Sequence, residues 1–183
     1  MCGIYLVTFG NIQQDLLLDL SHKLGNVFKH PVISGYRHEL PESAFDEKRD
    51  QYLASSFLMK LRQVTGINDS KILGITEVDL YSPGLNFVFG QADVGGKASM
   101  ISLARLYPKE EDTDSVLFRE RALKEATHEL GHTFGLEHCR DKHCVMFFSN
   151  GIQETDIKST YFCPHHLNEY QRDVDMRDIG FAL

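Results

Sequence analysis

No stretch of this 183-residue sequence is apolar for long enough to cross a membrane. Its apolar start has no basic run ahead of it and no clear cleavage site, so neither a signal peptide nor a pro-segment is expected. Internal repeats and low-complexity linkers are missing too. Positive charge is in deficit: 19 Lys and Arg face 26 Asp and Glu, a net charge of −7. That balance argues against general nucleic-acid binding and against binding to an anionic membrane. Cysteines number only four. Cytoplasm is the expected location, and disulfides are uncommon there. What is present is ordinary for a globular chain, 42% apolar and 25% charged. The length suits a single domain, 1–183, built as one lobe or two.

The metal-ligand residue types are concentrated. Six of nine histidines and three of four cysteines fall between His128 and His166. The run begins HELGHTFGLEH. In a helix that turns about 100° per residue, His128 and His132 share a face and can reach one metal ion. Gly135 can adopt the left-handed conformation that ends a helix. His138 then returns as a third ligand. Three protein ligands leave one position open, which is how catalytic zinc is held. Glu129, beside the first ligand, can take a proton from a water activated there. The alternative is a surface helix that happens to carry histidines; the added Gly and third His weigh against it.

The surrounding pattern predicts a helix. Asp112 to Ser115 offer N-caps. Val116, Leu123, Ala126, Leu130 and Phe134 form one apolar face, and Arg121, Glu125, His128 and His132 lie on roughly the opposite one. The expectation is that the first face packs on a core and the second lines a cleft.

H-E-x-x-H-x-x-G-x-x-H followed by Met146 resembles the metzincin zinc peptidases. The continuation through Cys139, Cys144-Val145-Met146 and Cys163 resembles the archaemetzincins in particular. The resemblance implies that Met146 is the Met-turn residue below the zinc. It also implies that Glu129 is both general base and general acid of peptide hydrolysis.

A second metal set follows. Cys139, Cys144, Cys163 and His166 supply three sulfurs and one nitrogen, a closed tetrahedral zinc set. The family pattern ends in C-x-x-C, and His166 stands at its last position here. His165, His143 and Cys2 are the other candidates for the fourth ligand. Pro164 suits the first position of a helix, which puts Cys163 at its N-terminus, where the dipole favours a thiolate. The competing reading is a Cys139–Cys144 disulfide or buried free thiols. Two zinc ions per chain are expected, one catalytic and one structural. The structural ion would brace the loop that carries His138 and Met146.

Along the chain, strands are predicted over 3–9, within 27–39, over 71–79 and over 98–106, with a short run at 86–89. Helices are predicted from about 11 to 24, ended by Gly25 and Asn26, and around Leu53, Phe57, Leu61 and Val64, ended by Gly66. Residues 39–50 read as loop and helix start, 152–160 as a loop or short excursion. A last helix starts near 164, with Leu167, Tyr170, Val174 and Phe181 as its buried stripe. The order resembles an α/β (α+β) metzincin fold. That implies a twisted mixed sheet with packed helices in an upper lobe (about 1–138), a small helical lower lobe (about 139–183) and a cleft between. In that fold an antiparallel edge strand borders the cleft, and 86–92 takes that place by order. Such an edge can hold an extended peptide by main-chain hydrogen bonds.

The expected function is therefore that of a zinc metallopeptidase acting as a monomer on a peptide or protein substrate.

 The alternatives are a zinc-stabilised protein that holds a peptide without cutting it, and a zinc hydrolase of small amides or peptides. Glu129 and an open ligand position weigh against the first, because structural zinc needs neither. Tyr161 and Tyr170 are the phenols considered for stabilising an oxyanion.

Overall fold

The computed structural model describes residues 3–65, 70–108 and 116–178. The N-cap candidates Asp112 to Ser115, the stop signal Gly66, Cys2 and Phe181 lie outside the described residues.

Three near-continuous apolar runs become the centre of the molecule. β1 (Ile4–Phe9), β5 (Lys71–Thr76) and β8 (Ala98–Ser102) are buried along nearly their whole length, as expected of parallel strands covered on both faces. They form a five-stranded sheet with β2 (Val32–His38) and β7 (Gly90–Ala92), in the order β2-β1-β5-β8-β7. All pairings are parallel except β7 against β8. The result is a mixed α/β fold.

One face of the sheet carries α1 (Gln14–Phe28) and α3 (Val116–Thr133), whose apolar side chains join Leu6, Leu73 and Ile101 in one core. The other face carries α2 (Ala54–Arg62), where Phe57 and Leu61 meet Phe9, Ile72 and Met100. Among the described residues, no helix is long and apolar enough to cross a membrane.

Several elements depart from expectation. α1 runs past Gly25 and Asn26 to a left-handed Lys29, because Leu24 and Phe28 extend its buried stripe by a turn. Residues 39–53 do not simply lead into a helix. After a 3-10 turn at Glu42–Ala44, β3 (Phe45–Asp46) and β4 (Gln51–Leu53) pair with β6 (Leu80–Tyr81) in a small second sheet. The antiparallel edge is only Gly90–Ala92, shorter than 86–92, and residues 85–89 approach it as a wall instead. The polar stretch after Gly151 forms a helix, α4 (Ile152–Ile157). The last helix, α5 (Pro164–Asp178), begins where Pro164 predicts.

α4 changes the reading of α3. Arg121 makes a bidentate ion pair with Asp156, Lys124 donates to the Asp156 carbonyl, and Thr155 donates to Glu125. The polar face of α3 is therefore covered by α4 along much of its length instead of lining a cleft throughout. Val116, placed on the apolar face by spacing, is exposed at the helix start.

Candidate metal centres and active site

α3 delivers the first two histidines, and its C-terminus delivers the third. Gly135 has φ +85°. Its N–H bonds to the His132 carbonyl and the Leu136 N–H to that of Gly131, the Schellman pattern that stops a helix. Buried Lys71 adds a cation at this end, donating to the Thr133 and Gly96 carbonyls. The chain then reverses and brings His138 beside His128 and His132, with one donor atom from each within 4.8 Å of the others.

The hydrogen bonds fix how the rings point. His128 Nδ1 is 2.8 Å from the Val145 carbonyl, and His132 Nδ1 is 2.7 Å from the Leu136 carbonyl. A carbonyl only accepts, so both Nδ1 atoms carry the proton and both Nε2 atoms carry a lone pair. Those Nε2 atoms face each other at 3.2 Å. Two nitrogens on one tetrahedral zinc stand about 3.3 Å apart, given Zn–N near 2.05 Å. Burial, the largest influence, lowers the pKa of all three histidines, that of His132 to about 4. Neutral rings with convergent lone pairs repel one another until a cation lies between them, so this donor set fits zinc.

Glu129 lies on the same turn of α3 and is buried. Burial and the Glu125 carboxylate push its pKa well above the usual carboxylate range, and Lys158 pulls the other way. The edge strand presses against it: a Cβ on Gly90 would lie 2.5 Å from Glu129 Cγ. Glu129, His128, Glu125, residues 85–90 and residues 148–150 line one cavity of about 210 Å³. Neither Tyr161 nor Tyr170 belongs to that lining. Tyr161 is exposed, and the Tyr170 hydroxyl donates to the Phe28 carbonyl.

Met146 is fully buried beneath α3, and a Cβ on Gly131 would lie 2.5 Å from its sulfur. Sequence reasoning overlooked both glycines. Their role is the close approach of distant segments, which no local pattern announces.

The second cluster is Cys139, Cys144, Cys163 and His166, again within 4.8 Å. The three cysteines are free thiols. His166 Nε2 is 3.2 Å from the Glu137 carbonyl, so the lone pair is on Nδ1, which faces Cys163 Sγ at 3.3 Å and Cys144 Sγ at 3.8 Å. Cys139 and Cys163 sulfurs are 3.9 Å apart, near the roughly 3.8 Å of two thiolates on one tetrahedral zinc. This donor set also fits zinc. Burial raises the pKa of Cys139, and that of Cys144 to about 12. Burial would raise Cys163 as well, but hydrogen bonds from the His166 backbone and from the cluster side chains outweigh it and bring it to about 7. Of the other candidates for the fourth ligand, His165 is directed to Glu169 and His143 is exposed; neither joins the cluster.

Comparison with known proteins gives the chain's family. The model of peptidase family M54 matches residues 9–172. An archaemetzincin of Methanopyrus kandleri is 50% identical over 138 residues, 75% of this chain and 76% of that one. An archaemetzincin of Pyrococcus furiosus is 46% identical over 178 residues, 92% of each chain. The crystal structure of the Methanopyrus kandleri archaemetzincin superposes with a TM-score of 0.86 at 42% identity, covering 95% of this chain and 96% of that one. A zinc-dependent peptidase from Methanocorpusculum labreanum gives 0.82 at 29% identity, covering 92% and 100%.

Proposed function

The chain belongs to peptidase family M54 and is a zinc metallopeptidase, and from that premise we propose how its residues divide the work. His128, His132 and His138 hold the catalytic zinc. Cys139, Cys144, Cys163 and His166 hold a second, structural one. Met146 is the turn methionine of the metzincin pattern. The observation that carries this reading is the pair of Nδ1 tethers, which aim two neutral Nε2 atoms at one point beside Glu129.

Zinc bound there supplies Lewis acidity and brings the pKa of water to about 7. Glu129 takes the proton from the attacking water and passes it to the leaving amine. Its buried seat against Gly90 limits where its carboxylate can go, so the proton acceptor is held in place before substrate arrives. β7 is the sheet edge, and its outer main-chain groups offer an extended peptide hydrogen bonds with limited sequence preference. The protein acts as a monomer on peptide or protein substrates. Three free thiols in one cluster suit a reducing compartment, the cytoplasm.

Glu129→Gln tests the assignment of the base. It should keep the zinc content of the wild type and lose peptide hydrolysis by about a hundredfold to ten-thousandfold. Hydrolysis at the wild-type rate would remove Glu129 from this role. Elemental analysis of the wild type should give two zinc ions per chain; one ion would return the cysteines to plain thiols.

A further inference from the structure

Beside the proposed reaction centre, the cavity has a wall that the hydrolytic mechanism does not use. Leu85, Phe87, Phe89 and Phe148 make most of its lining apolar. Glu125, one turn before Glu129, is a carboxylate in this lining that the hydrolytic mechanism does not use; its side chain is only 3% exposed. Its Oε1 is occupied: Thr155 donates to it at 2.9 Å, and Lys158 Nζ stands 2.9 Å away as an ion pair. Among the described residues, no hydrogen bond reaches Oε2. Ser149, in the same lining, has a buried hydroxyl that also lacks a hydrogen-bond partner among the described residues.

Buried polar atoms are normally satisfied, so the unpartnered Ser149 hydroxyl, in the same lining as a Glu125 oxygen that accepts no hydrogen bond, points to a ligand that supplies the missing bonds. Their chemistry says which. A carboxylate oxygen only accepts, so its partner must donate. A hydroxyl can turn its proton toward an acceptor. Lys158, fully buried, already balances the charge of Glu125, so a second cation there would meet Lys158 without gaining an unpaired anion. A neutral group that donates and accepts is the match, and a side-chain carboxamide is such a group. About 210 Å³ with apolar walls accommodates it on a short methylene stem.

We infer that Glu125 is a specificity-determining residue, and that this cavity selects a glutamine-like side chain flanking the scissile bond. The inference rests on the peptidase reading for its meaning in catalysis, but the cavity's preference can be measured without turnover.

The test uses peptides identical except for Gln, Met or Lys, placed on each side of the scissile bond in turn. Met keeps the stem and lacks the donor. On one side, wild-type kcat/KM for Gln should exceed that for Met by tenfold or more, the scale of a hydrogen bond to a charged group. Glu125→Gln keeps the acceptor for Thr155 and turns a donor toward the cavity, so the Gln-over-Met ratio should fall to near one. If that variant does not fold, Glu125→Gln/Lys158→Met removes the stranded cation as well and makes the same prediction. Calorimetric binding of the three peptides to Glu129→Gln supplies the readout without hydrolysis, with the same tenfold ranking. Gln bound tenfold tighter but no peptide cleaved by the wild type would sustain the inference and overturn the peptidase reading. Equal cleavage and equal binding of Gln and Met, or a preference for Lys over Gln, would overturn the inference and leave the peptidase reading standing.

Discussion

The two proposed metal centres use histidine in opposite ways. In the three-histidine cluster, Nδ1–H is tethered and Nε2 is presented; in the cysteine cluster, His166 tethers Nε2–H and presents Nδ1. The tethers also cross between the clusters. His128 is held by the carbonyl of Val145, next to Cys144, and His166 by that of Glu137, next to His138. Cys139 N–H bonds to the Met146 carbonyl and closes the same loop. Their surroundings differ as well. His128 lines the cavity that also holds Glu129, and the cysteines with His166 make a four-donor set that needs no further ligand. In the proposed division one centre serves chemistry and the other shape, and the loop of each orients a histidine of its neighbour.

The sharpest way to break this division is to empty each centre separately. Cys163→Ser should lose the second zinc and destabilise the fold by on the order of 4 kcal/mol or more, the range of losing a structural metal. It should also weaken zinc binding at the histidines, because the Val145 carbonyl and His138 belong to the loop it releases. His132→Ala should lose the catalytic zinc and hydrolysis but cost stability by only about 1–2 kcal/mol. Denaturant unfolding with elemental analysis of both variants measures this. Equal destabilisation would mean that both centres serve the fold alike.

Removing both ions with a chelator should expose opposite pH limits. His132 titrates near 6.5 when unfolded and near 4 when folded. Between those values the unfolded chain binds more protons, so stability falls as pH drops from 6.5 to 4, by at most about 3 kcal/mol. Buried His128 acts in the same direction. Cys144 moves from 9.0 to about 12 on folding. Its contribution is full below pH 9 and is lost as pH rises toward 12. Cys163, lowered from 9.0 to about 7, contributes fully above pH 9 and loses that contribution as pH falls toward 7. Thermal unfolding across pH should show both limits, and His132→Asn should flatten only the acid one. An unchanged acid limit in that variant would remove His132 as its source.

A smaller effect probes the contact between α3 and Met146. An alanine Cβ at position 131 meets the Met146 sulfur at 2.5 Å and Phe162 at 3.3 Å. Overpacking costs about 1–3 kcal/mol, and alanine returns about 1 kcal/mol of helix propensity. The net loss for Gly131→Ala should be up to about 2 kcal/mol. A double-mutant cycle with Met146→Ala should return about 1 kcal/mol of favourable coupling; additive losses would mean that the clash is relieved elsewhere.

The legibility of the sequence follows the range of each interaction. The clustering of the three histidines could be read because spacing on one helix and a helix stop at Gly135 are local facts. The parallel core strands could be read because burial on both faces leaves continuous apolar runs. The three-stranded sheet could not: strands of two or three residues are too short to show alternation. α4 was hidden because an ion pair and hydrogen bonds hold it, with Arg121, Lys124 and Glu125 as partners in place of an apolar stripe. Glu125 was visible on the polar face of α3, but its neighbour Lys158 came from a segment read as loop.

Gly90 is the least legible of the functional positions and gives the finest comparison. Both it and Gly131 admit a neighbour where a Cβ would stand, but the neighbours differ. Gly131 makes room for a methionine, a flexible side chain that can shift. Gly90 makes room for Glu129 Cγ at 2.5 Å and for the Met100 backbone carbonyl at 2.6 Å. The carbonyl belongs to β8, which is held between β5 and β7. In Gly90→Ala, the side chain of Glu129 therefore yields first. A displacement of a fraction of an ångström should lower kcat by about tenfold, roughly 1.4 kcal/mol of barrier. Zinc content should be unchanged, because His128 and His132 take their tethers from other residues. Gly131→Ala should show the reverse profile, with stability lost and kcat nearly kept. If Gly90→Ala instead lost zinc or unfolded early with kcat intact, the edge strand would be supporting the fold and not seating the base.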